Sequence, residues 1–147
     1  MILNLPWIIV AFLFYNGVAL FAGYWGSAPD VSPADVSPAD IFQKTELFSI
    51  VMLSEIAWVF TLGDCVLLVA LLALFVEILK ATQTRSLAIL DHGLSVVVFI
   101  ICLIEFLLVD IAGTSLFFFI TVIALIDVIA GFSVGIRAAK RDFNVGG

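Results

Sequence analysis

Six carboxylates lie within or at the ends of apolar stretches of this chain, at Asp64, Glu77, Asp91, Glu105, Asp110 and Asp127, with the single histidine, His92, beside one of them. Acids spaced through an apolar bundle are what a proton or cation route requires. Each can hold a proton when desolvated and pass charge on when wet. Asp127 is the most telling of them, because Asp127, Gly131 and Gly135 recur at i, i+4 and i+8 and so share one stripe of a helix. A carboxylate at bilayer depth costs roughly 2.5–3.5 kcal/mol on insertion scales, which turns it toward neighbouring helices or a wet cavity. Gly131 to Gly135 is also a GxxxG pattern, which admits the close approach of another backbone. Glu105 and Asp64 fall in the outer halves of their own apolar runs, so a path from Asp110 through Glu105 and Asp64 to Asp127 and on to His92 and Asp91 is one expectation. The competing one is structural: each acid is hydrogen-bonded to Thr61, Ser95, Asn16 or backbone and fixes helix packing, or meets a base on a partner subunit. Asn16, within the first apolar run, is expected to hydrogen-bond across helices. Glu77, Asp91 and Asp110 read as ordinary interfacial acids, and His92 as a solvated or capping residue.

The elements that carry these residues are membrane helices. Of 147 residues 64% are hydrophobic and 12% charged, with a mean hydropathy of +1.29, whereas soluble domains carry about a quarter charged residues. One membrane domain of all-α class is expected: a four-helix bundle with spans at about 6–24, 57–79, 87–111 and 116–136. Pro6 suits the first turn of the first span, with Trp7 at one end and Tyr24 and Trp25 at the other as aromatic anchors. Residues 26–40 form an acidic, proline-rich loop in which the unit DVSPA occurs twice in tandem. Its Asp30, Asp35 and Asp40 lack the alternating ligands and central glycine of a calcium loop, so no metal site is expected. Ser37, Pro38 and Asp40 read as the N-cap, N1 and N3 of a helix, with Asp40 set to pair with Lys44 at i+4.

From Pro38 to Lys80 only Gly63 interrupts the helical pattern, and a continuous helix there would reach about 65 Å, twice the hydrocarbon core. An extra juxtamembrane helix, about 38–56, is therefore expected before the second span, with a kink at Gly63 as the alternative. With four spans, Lys80, Arg85, Arg137, Lys140 and Arg141 share one side and only Lys44 lies opposite. The positive-inside bias puts both termini in the cytoplasm, of a bacterial inner membrane in this reading, and the acidic loop outside.

Several functions are disfavoured. Six Lys and Arg in all provide no basic stripe for nucleic acid. The G-x-S-x-G, H-E-x-x-H, P-loop and G-x-G-x-x-G motifs are absent from the sequence, one histidine builds no two-histidine metal or haem site, and no enzyme activity is expected. Cys65 and Cys102 lack metal-ligand spacing and read as free buried thiols. No cofactor is specified by the sequence; Phe117-Phe118-Phe119 could line a groove for one, though lipid-facing packing is the commoner use. The sequence thus points first to a non-catalytic accessory, assembly or scaffold subunit of a larger membrane complex. Its expected partners are membrane lipids and other membrane subunits or copies of itself. The alternative is a homo-oligomeric proton or cation channel, or proton-coupled transporter, using Asp127, Glu105 and Asp64.

Overall fold

A computed structural model describes the backbone of residues 5–25, 37–81 and 88–145, and the side chains of these except 22–25, 88–91 and 137–145. The tandem repeat with Asp30 and Asp35, and the side chains of Tyr24, Trp25, Arg85, Asp91, Arg137, Lys140 and Arg141, lie outside the described residues. The chain is mostly helical: α1 (Ile8–Trp25), α2 (Pro38–Lys44), α3 (Leu62–Ala81), α4 (Ala88–Leu108) and α5 (Ser115–Val145), with a 3₁₀ turn at Asp110–Ala112 between α4 and α5. A two-stranded hairpin, β1 (Glu46–Val51) and β2 (Ala57–Thr61), intervenes between α2 and α3.

The hairpin replaces most of the juxtamembrane helix expected over 38–56. Helix α2 does start at Pro38 after an extended Ser37, and Asp40 does pair with Lys44 at 3.0 Å, but the helix ends at Lys44. Beyond it the segments Leu-Phe-Ser-Ile-Val and Ala-Trp-Val-Phe-Thr are rich in β-branched and aromatic residues, which fit a pleated strand better than a helix. The strands pair antiparallel, with Phe48 opposite Phe60, Ser49 opposite Val59 and Ile50 opposite Trp58. The second long helix consequently starts at Leu62 rather than at 57. The turn closes without glycine: the Met52 N–H bonds to the Ile56 carbonyl, the Glu55 N–H to the Met52 carbonyl, and Glu55 sits at φ 63°. This is the three-residue loop with a left-handed last position, which favours glycine by about 1 kcal/mol. Glu55→Gly is expected to stabilise the hairpin by up to about that amount, seen as slower amide exchange at Ile50 and Trp58.

Helix α1 begins where α3 ends, since Lys80 Nζ bonds the Leu5 carbonyl at 3.3 Å. Helices α4 and α5 run antiparallel: Phe106 packs on Phe118 near their junction, and His92, at the start of α4, lies on Gly131. One end of the bundle, the basal end, therefore gathers the start of α1, the end of α3 and the start of α4. The apical end carries α2, the hairpin and the 3₁₀ turn. Tyr15 holds the middle of the core. Its ring stacks on Phe42 of α2 at 4.6 Å and tilts against Phe117 of α5 at 4.8 Å. Its hydroxyl donates to the Ile111 carbonyl at 2.8 Å and lies 2.8 Å from Thr114 Oγ1, which in turn accepts the Phe117 N–H and caps α5. Gly63 matters for close approach rather than for a kink, because a Cβ there would come 3.1 Å from the Phe42 carbonyl oxygen of α2.

Among the described residues, two helical segments are long and apolar enough to cross a membrane, Leu62–Ala81 and Ser115–Ile136; Ile8–Phe21 and His92–Leu108 are apolar but shorter.

Candidate functional site

The structure places the three acids Asp64, Glu105 and Asp127 in three separate settings. Asp64 is exposed and starts α3. Its Oδ2 accepts the Thr61 N–H at 2.9 Å and the Thr61 hydroxyl at 2.8 Å, while its own N–H bonds back to Thr61 Oγ1 at 3.2 Å. Such a reciprocal capping box fully accounts for the residue. Glu105 is half-buried on α4 with Asn16 of α1 nearby, and Asn16 donates to the Phe12 carbonyl of its own helix at 3.2 Å. Asp110 is exposed at the 3₁₀ turn. No continuous line of acids from Asp110 to Asp127 emerges from these contacts.

Asp127 is 4% exposed, with Ser95 of α4 beside it. Its Oδ2 is buried with no hydrogen-bond partner in the described structure. Within electrostatic reach lie Glu77 and Lys80 of α3. Glu77 is itself buried, pairs with Lys80 at 3.1 Å, and its second oxygen lies 3.4 Å from the backbone nitrogen of Trp7 at the start of α1. The expectation that Glu77 is an ordinary interfacial acid is thereby corrected. Docking of α1 over the last turn of α3 shields an i,i+3 pair that would otherwise sit in the open, and the position of Lys80 in that last turn also suits the helix dipole. The spacing Glu77-x-x-Lys80 was visible in the sequence; the cover supplied by α1 was not.

His92 is half-buried rather than solvated, and it gives the glycine stripe its role. A methyl group at Gly131 would meet the His92 ring, with Cε1 at 2.8 Å, and one at Gly135 would lie 3.9 Å from the same ring. The stripe seats an imidazole, where GxxxG spacing suggested a second backbone. Gly131→Ala is expected to cost about 1–3 kcal/mol by overpacking. Much of that loss should return in Gly131→Ala/His92→Ala, measured as the midpoint of unfolding in detergent.

The phenylalanine triplet is divided. Phe117 is in the core, Phe118 packs on Phe106, and Phe119 lines an apical cavity of about 190 Å³ together with Phe42, Thr61, Asp64, Leu67 and Thr114. That volume is below the roughly 300–1,000 Å³ of drug-sized ligand pockets. Both cysteines are free, Cys102 buried and Cys65 half-buried. Among the described residues no group of three His, Cys, Asp or Glu is placed to hold a metal ion.

The hairpin is the least covered element. Leu47, Phe48, Ile50, Val51, Met52, Leu53, Ile56 and Trp58 are all exposed, Leu53 completely. Phe48, Phe60 and Trp58 form an aromatic cluster on one face, with Phe48 and Phe60 stacked at 4.8 Å. Isolated two-stranded hairpins are marginal in water, and contiguous apolar patches of this kind mark contact surfaces. Comparison with known proteins finds no matching family model, curated protein or solved structure.

Proposed function

We propose that this chain is a four-span membrane bundle, with α1, α3, α4 and α5 as the spans, that serves as a non-catalytic accessory or assembly subunit and docks through its hairpin. In this reading the basal end is cytoplasmic, at a bacterial inner membrane, and the hairpin stands on the outer side. The exposed Leu72, Phe75, Leu107, Ile129 and Ile136 side chains on three of the helices suit contact with lipid. The observation that carries the docking role is the hairpin: eight large apolar side chains exposed on a two-stranded element outside the helices. Of the carboxylates, Asp64 and Glu77 are engaged within the protomer, by Thr61 and by Lys80, and need no partner subunit to explain them.

The test is the native mass of the tagged protein extracted gently from its membrane, compared with Phe48→Ser/Trp58→Ser. Loss of an associated chain in the variant, with helical content retained, supports the reading. A single unassociated species that is stable alone and unchanged by the substitutions overturns it.

One observation favours the second reading, a proton or cation pathway: the unpartnered buried Oδ2 of Asp127. Reconstituted vesicles would then show a proton or cation leak that disappears in Asp127→Asn. Equal flux in that variant removes Asp127 from any conduction route.

A further inference from the structure

The hairpin has an open backbone edge as well as apolar faces, and the edge limits what can cover it. Because the Met52 N–H bonds to the Ile56 carbonyl, the alternation of an antiparallel ladder makes Ile50–Trp58 and Phe48–Phe60 the hydrogen-bonded pairs. The N–H and C=O groups of Ser49 and Val51 therefore point away from β2. Every residue of β1 is exposed, whereas Val59, Phe60 and Thr61 of β2 are partly covered near α3. Among the described residues the β1 edge is thus the free one, and its regular part, residues 48–51, is about 14 Å long at a strand's rise per residue.

Lipid satisfies the side chains of such an element but leaves its edge donors and acceptors unpaired, which hydrocarbon penalises by several kcal/mol per group. Water satisfies the edge but not the side chains. Another strand satisfies both. The pattern of β1 suits a copy of itself. In an antiparallel pairing centred on Ser49, Phe48 faces the partner's Ile50 and Ser49 faces the partner's Ser49, while the bulge between Glu46 and Phe48 ends the regular ladder at Leu47. Glu46 lies beyond the bulge, so no two carboxylates are opposed in this pairing. Both hairpin acids, Glu46 and Glu55, stay at the ends of the paired segment.

From this we infer that two copies of the chain associate by antiparallel pairing of their β1 strands into one four-stranded sheet. The inference rests on the hairpin's docking role proposed above and names the partner. The two-fold axis of such a pair is perpendicular to the sheet, and copies in one bilayer are related by an axis along the membrane normal. The sheet therefore lies parallel to the membrane plane. Confinement of both copies to the membrane raises their effective concentration, so a short edge suffices for association.

The test uses full-length protein in its native membrane. In a Cys65→Ala/Cys102→Ala background, Ser49→Cys places two thiols on directly opposed residues whose Cα atoms are about 5.5 Å apart, within disulfide reach. Mild oxidation is expected to convert Ser49→Cys largely to covalent dimer and to leave Ser54→Cys, at the turn, monomeric. Equal cross-linking at both positions, or none at Ser49→Cys, overturns the pairing. Ser49→Pro supplies the second arm. It removes an N–H that the hairpin's own ladder does not use, at an edge position where proline is tolerated, so dimer should disappear from the native mass while far-UV circular dichroism is unchanged. A dimer that persists in Ser49→Pro overturns the inference. If wild-type protein carries a foreign chain lost in Phe48→Ser/Trp58→Ser, but shows no dimer, self-pairing falls and the docking role stands; if neither species depends on the hairpin, both fall.

Discussion

Lys80→Met is expected to destabilise the folded protein by about 3–5 kcal/mol, the usual cost of removing one partner from a buried ion pair. The side chains of Lys80 and Glu77 are 12% and 7% exposed, and Asp127 lies within reach of both, so the substitution strands two carboxylates on one lysine's loss. It also removes the bond from Lys80 to the Leu5 carbonyl that ties α1 to the end of α3. Unfolding by denaturant in mild detergent measures the effect. Neutralising the acids as well, in Lys80→Met/Glu77→Gln/Asp127→Asn, should recover most of the stability, because an uncharged site of similar volume carries no desolvation cost for unpaired charge. A Lys80→Met protein as stable as wild type would mean that the cluster is solvated.

Tyr15→Ala is expected to cost about 3–5 kcal/mol, the range for large aromatic truncations in packed cores. The ring is fully buried between Phe42 and Phe117, and so joins α1 to the apical helix α2 and to α5 at once. Tyr15→Phe separates the two contributions. It keeps the stack and deletes the hydroxyl that bonds the Ile111 carbonyl and Thr114, for a loss of about 1–3 kcal/mol. Thermal unfolding of the two variants in the same detergent checks the order. A larger loss in Tyr15→Phe than in Tyr15→Ala is incompatible with this geometry.

Hydropathy made the four long helices legible in the sequence, because uninterrupted apolar runs are a one-dimensional signal. The start of α2 was equally plain from Ser37, Pro38 and Asp40. The hairpin was not. Its turn uses Glu55 at a left-handed position where glycine or asparagine would have announced it, and Glu46, Ser49, Ser54 and Glu55 resembled an irregular polar face of a helix. For the acids, Thr61 as the hydrogen-bonding partner of Asp64 could be named from type and depth. The engagement of Glu77 and Lys80 could not, since it depends on where α1 lands. Likewise Gly131 and Gly135 share a stripe by simple periodicity, yet which group fills the stripe depended on the register of α4, whose His92 does so.

The contacts of α1 have a consequence for how the protein is made. Its polar bonds reach across 70 residues from Trp7 to Glu77, 75 from Leu5 to Lys80, and 96 and 99 from Tyr15 to Ile111 and Thr114. A helix that precedes all of these in the chain leaves the ribosome before any of its partners. During synthesis α1 therefore waits with the Tyr15 hydroxyl unanswered until Ile111 and Thr114 have been made and the bundle closes around it. Biogenesis of this protein then depends on what shelters α1 in that interval, and ribosome-bound chains ending before Ser115 should be the form most readily degraded.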